Sequence, residues 1–98
     1  MDVRFHDKDY QRLEADAKWS CGFDAAVVKA YRNRLNFIRG ADDERDIRAM
    51  KSWRFEKLEG SRCHQYSIRL NDQWRLILEL EGTAPKKVVA IIQIEDYH

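Results

Sequence analysis

The feature that most constrains this chain is a change of period near Lys51. Before it, apolar residues recur every three or four positions; after it, they alternate in twos. From about Asp7 to Trp19, the residues Tyr10, Leu13 and Ala17 keep helical spacing, and Cys21-Gly22 ends the pattern. A second helix follows, with Phe23, Val27, Tyr31, Leu35 and Ile38 on one stripe, Lys29, Arg32 and Asn36 on the opposite face, and Gly40 as its stop. "DDERDIRAM" adds one further helical turn, and Val3 and Phe5 alternate in a short strand ahead of the helices.

The second half reads as strands. "SWRFEKLEG" is a short one that stops at Gly60-Ser61, and "CHQYSIRL" and "WRLILELE" alternate cleanly. "GTAP" turns the chain into "KKVVAIIQIE", which is apolar on both faces and therefore expected inside the sheet. Opposed residues of an antiparallel pair share a face, so loop length decides the register of the middle hairpin. A two-residue turn at Asn71-Asp72 would mix oily and polar sides. The three-residue loop Asn71-Asp72-Gln73 instead sets Leu70 opposite Trp74, Ile68 opposite Leu76 and Tyr66 opposite Leu78. One face is then wholly apolar; the other carries Arg69, Arg75, Ser67 and Gln65. The expected fold is α+β: an N-terminal strand and two helices packed on one face of an antiparallel sheet, in one domain spanning 1–98.

Composition sets limits on partners. With 18 basic and 17 acidic residues, bulk charge announces no nucleic acid, so any basic surface must come from segregation onto one face. Cys21 and Cys63 form no C-x-x-C pair and read as ordinary thiols. His6 and His64 have no ligand-spaced neighbours in the sequence, so no metal is expected, nor any other cofactor. The N-terminus lacks a signal-type apolar core and no stretch reaches membrane-spanning length, so a cytoplasmic protein is expected.

"RFEKLEGSRCHQYSIRLNDQWRLILELE" followed by "EDYH" resembles the HigB branch of the RelE/ParE toxin superfamily. The matching elements are Leu58-x-Gly60, Tyr66-Ser67-Ile68-Arg69, Asn71, Trp74-Arg75 and the closing Asp96-Tyr97-His98. The resemblance implies a RelE-like fold and the toxin of a type II toxin–antitoxin module. It also implies a ribosome-dependent, metal-free endoribonuclease that cuts mRNA in the ribosomal A site. Its partner would be a HigA-like helix-turn-helix antitoxin, and operator DNA would be reached only through the toxin–antitoxin complex.

The residues suit that chemistry. Metal-free RNA cleavage uses the 2′-hydroxyl as nucleophile and needs a proton acceptor, a proton donor for the departing 5′-oxygen, and cations around phosphorus. Histidine titrates near neutrality, and the arginine fork stays charged and donates two parallel hydrogen bonds. His98 is the candidate general acid or base, with Asp96 orienting it or sharing its proton work. Arg75 would stabilise the phosphorane, and Tyr97 would stack on a base or donate a hydrogen bond. Nearby negative charge from Asp96 would favour the imidazolium of His98.

Related sequences often place a histidine or lysine before the glycine; here the stretch is Arg54-Phe55-Glu56-Lys57-Leu58-Glu59-Gly60. Strand alternation would put Arg54, Glu56 and Leu58 on one face. Glu56 could then accept a proton and Arg54 contact phosphate, or the two could form only a surface pair. Arg69, Arg62, Lys57 and Gln73 complete the candidate RNA contacts, although Asn71 and Gln73 also suit a turn. Two other readings remain open: a non-enzymatic gyrase inhibitor of the ParE kind, and an inactive toxin fold that binds only its antitoxin.

Overall fold

The structure is a computed structural model that describes residues 1–83 and 87–97. Three helices, α1 (Lys8–Ala15), α2 (Ala25–Gly40) and α3 (Glu44–Arg48), accompany five strands: β1 (Asp2–Phe5), β2 (Glu56–Lys57), β3 (Tyr66–Arg69), β4 (Trp74–Glu81) and β5 (Val88–Asp96). The strand order is β1-β5-β4-β3-β2. β5 lies inside the sheet, as its two-sided apolarity requires. β2 to β5 pair antiparallel, while β1 runs parallel to β5, so the sheet is mixed. Because two helices intervene, β1 belongs to no hairpin, and its direction has no signature in the sequence.

Leu13 of α1 and Val27, Tyr31, Leu35 and Ile38 of α2 are buried against Ile68, Leu76, Leu78, Val89, Ile91 and Ile94 of the sheet. This is the apolar face expected from alternation. The open face carries the odd-numbered residues of β3 and β4.

α1 starts where Asp7 accepts the Asp9 amide at 2.8 Å. It stops at Ala15, short of Trp19. Asp16 instead turns the chain by accepting the Lys18 amide, and Arg32 of α2 binds the carbonyls of Leu13 (2.9 Å), Asp16 (2.8 Å) and Trp19 (3.2 Å). Arg32 is therefore a capping residue for its neighbour rather than a solvated charge on the outer face. The expected strand over "SWRFEKLEG" also shrinks. Lys51–Trp53 is a 3₁₀ turn that buries Trp53, Arg54 is left-handed at φ 48°, and only Glu56–Lys57 is strand. The indole has a core position to fill, edge-on to Phe37 at 4.9 Å, and regular pairing begins only after it.

Two tyrosines tie α2 to α1 and α1 to β5. Tyr31 Oη donates to the Tyr10 carbonyl at 2.8 Å, and Tyr10 Oη accepts the Ile94 amide at 3.0 Å. Burial raises the pKa of both phenols, so neither offers a phenolate near neutral pH. The end of the last strand is thus held by a helix side chain.

Candidate active site

The site begins at the β3–β4 loop. Leu70 N donates to Trp74 O at 2.9 Å, and Asn71 Oδ1 accepts the amides of Gln73 (2.9 Å) and Trp74 (2.8 Å). The odd loop expected from the sequence forms, with Asn71 as its turn former. It sets Ile68 opposite Leu76 and Arg69 opposite Arg75. Two like charges facing each other across a strand pair repel unless other groups compensate. Arg69 pairs with Asp72, and its carbonyl accepts the Arg34 guanidinium at 3.3 and 3.2 Å. Arg34 lies 4.6 Å above Trp53, and burial, then the Arg69 charge, lowers its pKa. Arg34 fixes the backbone beneath the arginine pair, a role that its place on a helix gave no reason to suspect.

A bulge in β5 arranges the rest. Ile77 pairs with Gln93, but Leu78 pairs with Ile91, so Ile92 has no opposite residue. Val89 and Ile91 face the helices upstream of the slip; Ile94 faces them after it. Glu95 and Tyr97 are thereby switched to the open face beside Arg75. Asp96 pairs with Trp74 and takes the other side at the end of the sheet. Tyr97 N donates to Gln73 O at 2.6 Å, and Gln73 Nε2 donates to Asp96 Oδ2 at 3.1 Å. The loop and the tail are stitched together.

Arg75 is the centre. Although no helix covers its face, it is only 7% exposed, because Tyr97 lies over it with the guanidinium carbon 4.3 Å from the ring centroid. Its Nε and Nη1 are buried and have no hydrogen-bond partner among the described residues. A buried guanidinium with unmet donors costs stability, so its retention calls for an anion. Tyr97 itself is 54% exposed, the one large hydrophobic side chain that is so among the described residues. Cation below and free ring face above suit a phosphate flanked by a base.

Glu95 stands opposite Arg75 and binds Arg62, at 3.0 Å to Nη2 and 3.1 Å to Nη1. Arg62, Arg69 and Arg75 therefore share one region of the open face. Glu56 pairs with Ser67 and falls on that same face; Lys57 pairs with Tyr66 and falls on the other. Arg54, left-handed and exposed, stands outside the strand alternation expected for it. His98 lies outside the described residues, so its meeting with Arg75 is not visible.

The two remaining histidines are not isolated, contrary to their spacing in the sequence. His6, Glu79 and Glu81 bring ligand atoms within 4.8 Å of one another, and His64 Nε2 lies 3.6 Å from Glu79. Arg4 occupies the cluster, donating through Nε to Glu81 at 3.0 Å with Nη2 3.0 Å from His6 Nε2. Its hydrogen bond, and then its charge, lowers the Glu81 pKa, so a guanidinium already serves this group. No described helix is long and apolar enough to cross a membrane.

Known proteins supply the wider setting. Residues 3–98 match the family described as RelE-like toxin of type II toxin-antitoxin system HigB. Toxin HigB-1 of Vibrio cholerae serotype O1 is 33% identical over 85 residues, covering 86% of this chain and 90% of that protein. Among solved structures, a YoeB/ParE toxin from Agrobacterium tumefaciens superposes with a TM-score of 0.61 at 15% identity, covering all of both chains. The heterotetrameric YoeB-YefM toxin-antitoxin complex from Staphylococcus aureus gives 0.59 at 21% identity, covering 100% of this chain and 97% of that one. These likenesses agree with the fold, and the family match over nearly the whole chain decides the affiliation: this protein belongs to the HigB-like, RelE-like toxins of type II toxin–antitoxin systems.

Proposed function

We propose that this toxin is a ribosome-dependent endoribonuclease that cleaves mRNA in the A site by attack of the substrate's own 2′-hydroxyl. The observation that carries the reading is Arg75, a buried guanidinium beneath an exposed tyrosine whose Nε and Nη1 have no partner among the described residues. The 2′-oxygen forms a bond to phosphorus, the bond to the 5′-oxygen breaks, and a cyclic phosphate results. Charge grows on the non-bridging oxygens in between, where a fixed cation has most effect. Arg75 supplies it. Arg69 and Arg62 hold neighbouring phosphates, and Tyr97 stacks on a base.

His98 and Asp96 carry the proton transfers, one proton leaving the 2′-hydroxyl and one reaching the 5′-oxygen. Glu56, on the arginine face through its pairing with Ser67, is a further acceptor. Gln73 holds Asp96 and lies at the rim, and Arg54 and Lys57 contact RNA further out. A HigA-like antitoxin neutralises the toxin and carries it to operator DNA.

The test is a translating extract in which new messenger ends are mapped by primer extension. Wild-type protein should produce cuts only during translation, with naked RNA left intact, and His98→Ala and Arg75→Ala should abolish them. Toxicity without cuts, accompanied by DNA breaks at gyrase sites, would replace this reading with gyrase inhibition. Binding of antitoxin without toxicity would leave only an inactive fold.

A further inference from the structure

We propose that Glu95 is a resident stand-in for RNA phosphate. It latches Arg62 across the open face until a phosphodiester of the substrate takes its place. The inference rests on the RNA-cleaving reading above and deepens it, because it names what the free site already holds.

Glu95 is the Cα partner of Arg75, yet its carboxylate is turned to Arg62, with both oxygens engaged by the two terminal nitrogens at 3.0 and 3.1 Å. Gln93 Nε2 adds a bond to Oε1 at 3.2 Å, and Arg62 Nε reaches Gln65 Oε1 at 3.0 Å. Arg62 belongs to the 3₁₀ turn Gly60–Arg62 on the β3 side, and Glu95 to β5, two strands away. With strands about 4.8 Å apart, the ion pair must cross β4. Ser67 and Ile77 share the face that it crosses and are only 3% and 1% exposed.

The geometry of the pair is that of phosphate recognition. Two parallel bonds from a guanidinium fit the two oxygens of a carboxylate or the two non-bridging oxygens of a phosphodiester, each carrying one negative charge. The neighbouring Arg75 keeps two donors without a partner among the described residues, whereas Arg62 holds the protein's own acid. Release is cheap, because the partners' side chains are 41% and 32% exposed and water screens such pairs. The turn that carries Arg62 is short and starts at Gly60, whose φ is +66°. It is held within itself by the Cys63 amide on the Gly60 carbonyl at 3.2 Å. Freed from Glu95, Arg62 can follow a phosphate without disturbing the sheet.

Glu95→Gln keeps the shape and removes the charge. The probe is a fluorescein-labelled 2′-O-methyl single-stranded RNA, which cannot be cleaved, presented free and as messenger on ribosomes, with anisotropy read at low salt. Glu95→Gln should bind about threefold to fivefold tighter than wild type. The gain should vanish in the Arg62→Ala background, where single and double variants should agree within about twofold. Unchanged or weaker binding by Glu95→Gln would overturn the latch. So would a gain that persists without Arg62, because Glu95 would then be only a repulsive charge. Messenger cleavage is assayed in parallel. A wild-type protein that neither binds nor cuts would end the RNA reading and the latch with it. A wild-type protein that cuts, with no gain for Glu95→Gln, would end the latch alone. Melting curves confirm that each variant is folded.

Discussion

At the scale of single residues, Arg75 sets function against stability. Its buried Nε and Nη1 make no hydrogen bond within the described protein, and the cost of desolvation remains. Arg75→Met, which fills similar space without charge, should leave stability unchanged or raise it by about 1–2 kcal/mol. The same variant should lower messenger cleavage at least about a hundredfold. Thermal melting and primer extension on one preparation check both halves, and a loss of both would reduce Arg75 to a structural role. The residue was legible in the sequence through the pair Trp74-Arg75. Its burial was not, because alternation assigns a face and cannot say that Tyr97 will cover it. Arg62 and Arg69 were legible as candidate contacts, but Glu95 had no signal, since its importance comes from register alone. The candidate role of His98 stands on the closing tripeptide.

At the scale of elements, the hairpin loop and the bulge in β5 share the work of placement. The loop was legible because only an odd length keeps one face oily. The bulge was not: "VVAIIQIE" is apolar at nearly every position, so a slip at Ile92 leaves no break in the pattern. Asn71→Ala removes the acceptor for two loop amides and should cost about 1 kcal/mol, read by chemical denaturation. Since Gln73 O also holds the Tyr97 amide, cleavage should fall more than that loss of stability alone explains. Tyr10→Phe leaves the Ile94 amide unpaired and should cost about 1–2 kcal/mol, with faster amide exchange along the end of β5. Slow exchange there in the variant would show that the tyrosine does not secure the strand. The shortened α1 and the broken strand near Trp53 have a common origin: side chains from elsewhere, Arg32 in one case and a core site in the other, override the local period.

At the scale of the whole molecule, the sheet separates two tasks. Helices occupy one face and make the core; the other carries arginines with the acids that partner them. The α+β plan was legible because the period switches once, whereas the parallel β1–β5 pair was hidden by the lack of any turn between them. One tie joins the helical side to the start of β5: Glu44 of α3 is bonded by Lys87 and Arg48, with Lys87 the larger influence, and its carboxyl is held below the usual range. The lowered pKa means that this stabilisation is full above the unfolded carboxylate value of about 4.3 and is lost as pH falls through the folded value. Glu44→Gln should therefore cost about 1 kcal/mol at pH 7 and little at pH 3, a difference that urea titrations at the two values will reveal.

The buried donors of Arg75, unpaired among the described residues, have one more consequence, for small solutes. A folded state that presents buried guanidinium donors to an oxyanion binds one that the unfolded chain does not, and gains about 1.4 kcal/mol when the solute stands at tenfold its dissociation constant. Phosphate or sulfate should therefore raise the melting temperature of the wild-type protein well beyond chloride at equal ionic strength, and Arg75→Met should respond alike to all three. The same donors would make the toxin open to blockade by compact dianions, which would engage the guanidinium ahead of any larger ligand.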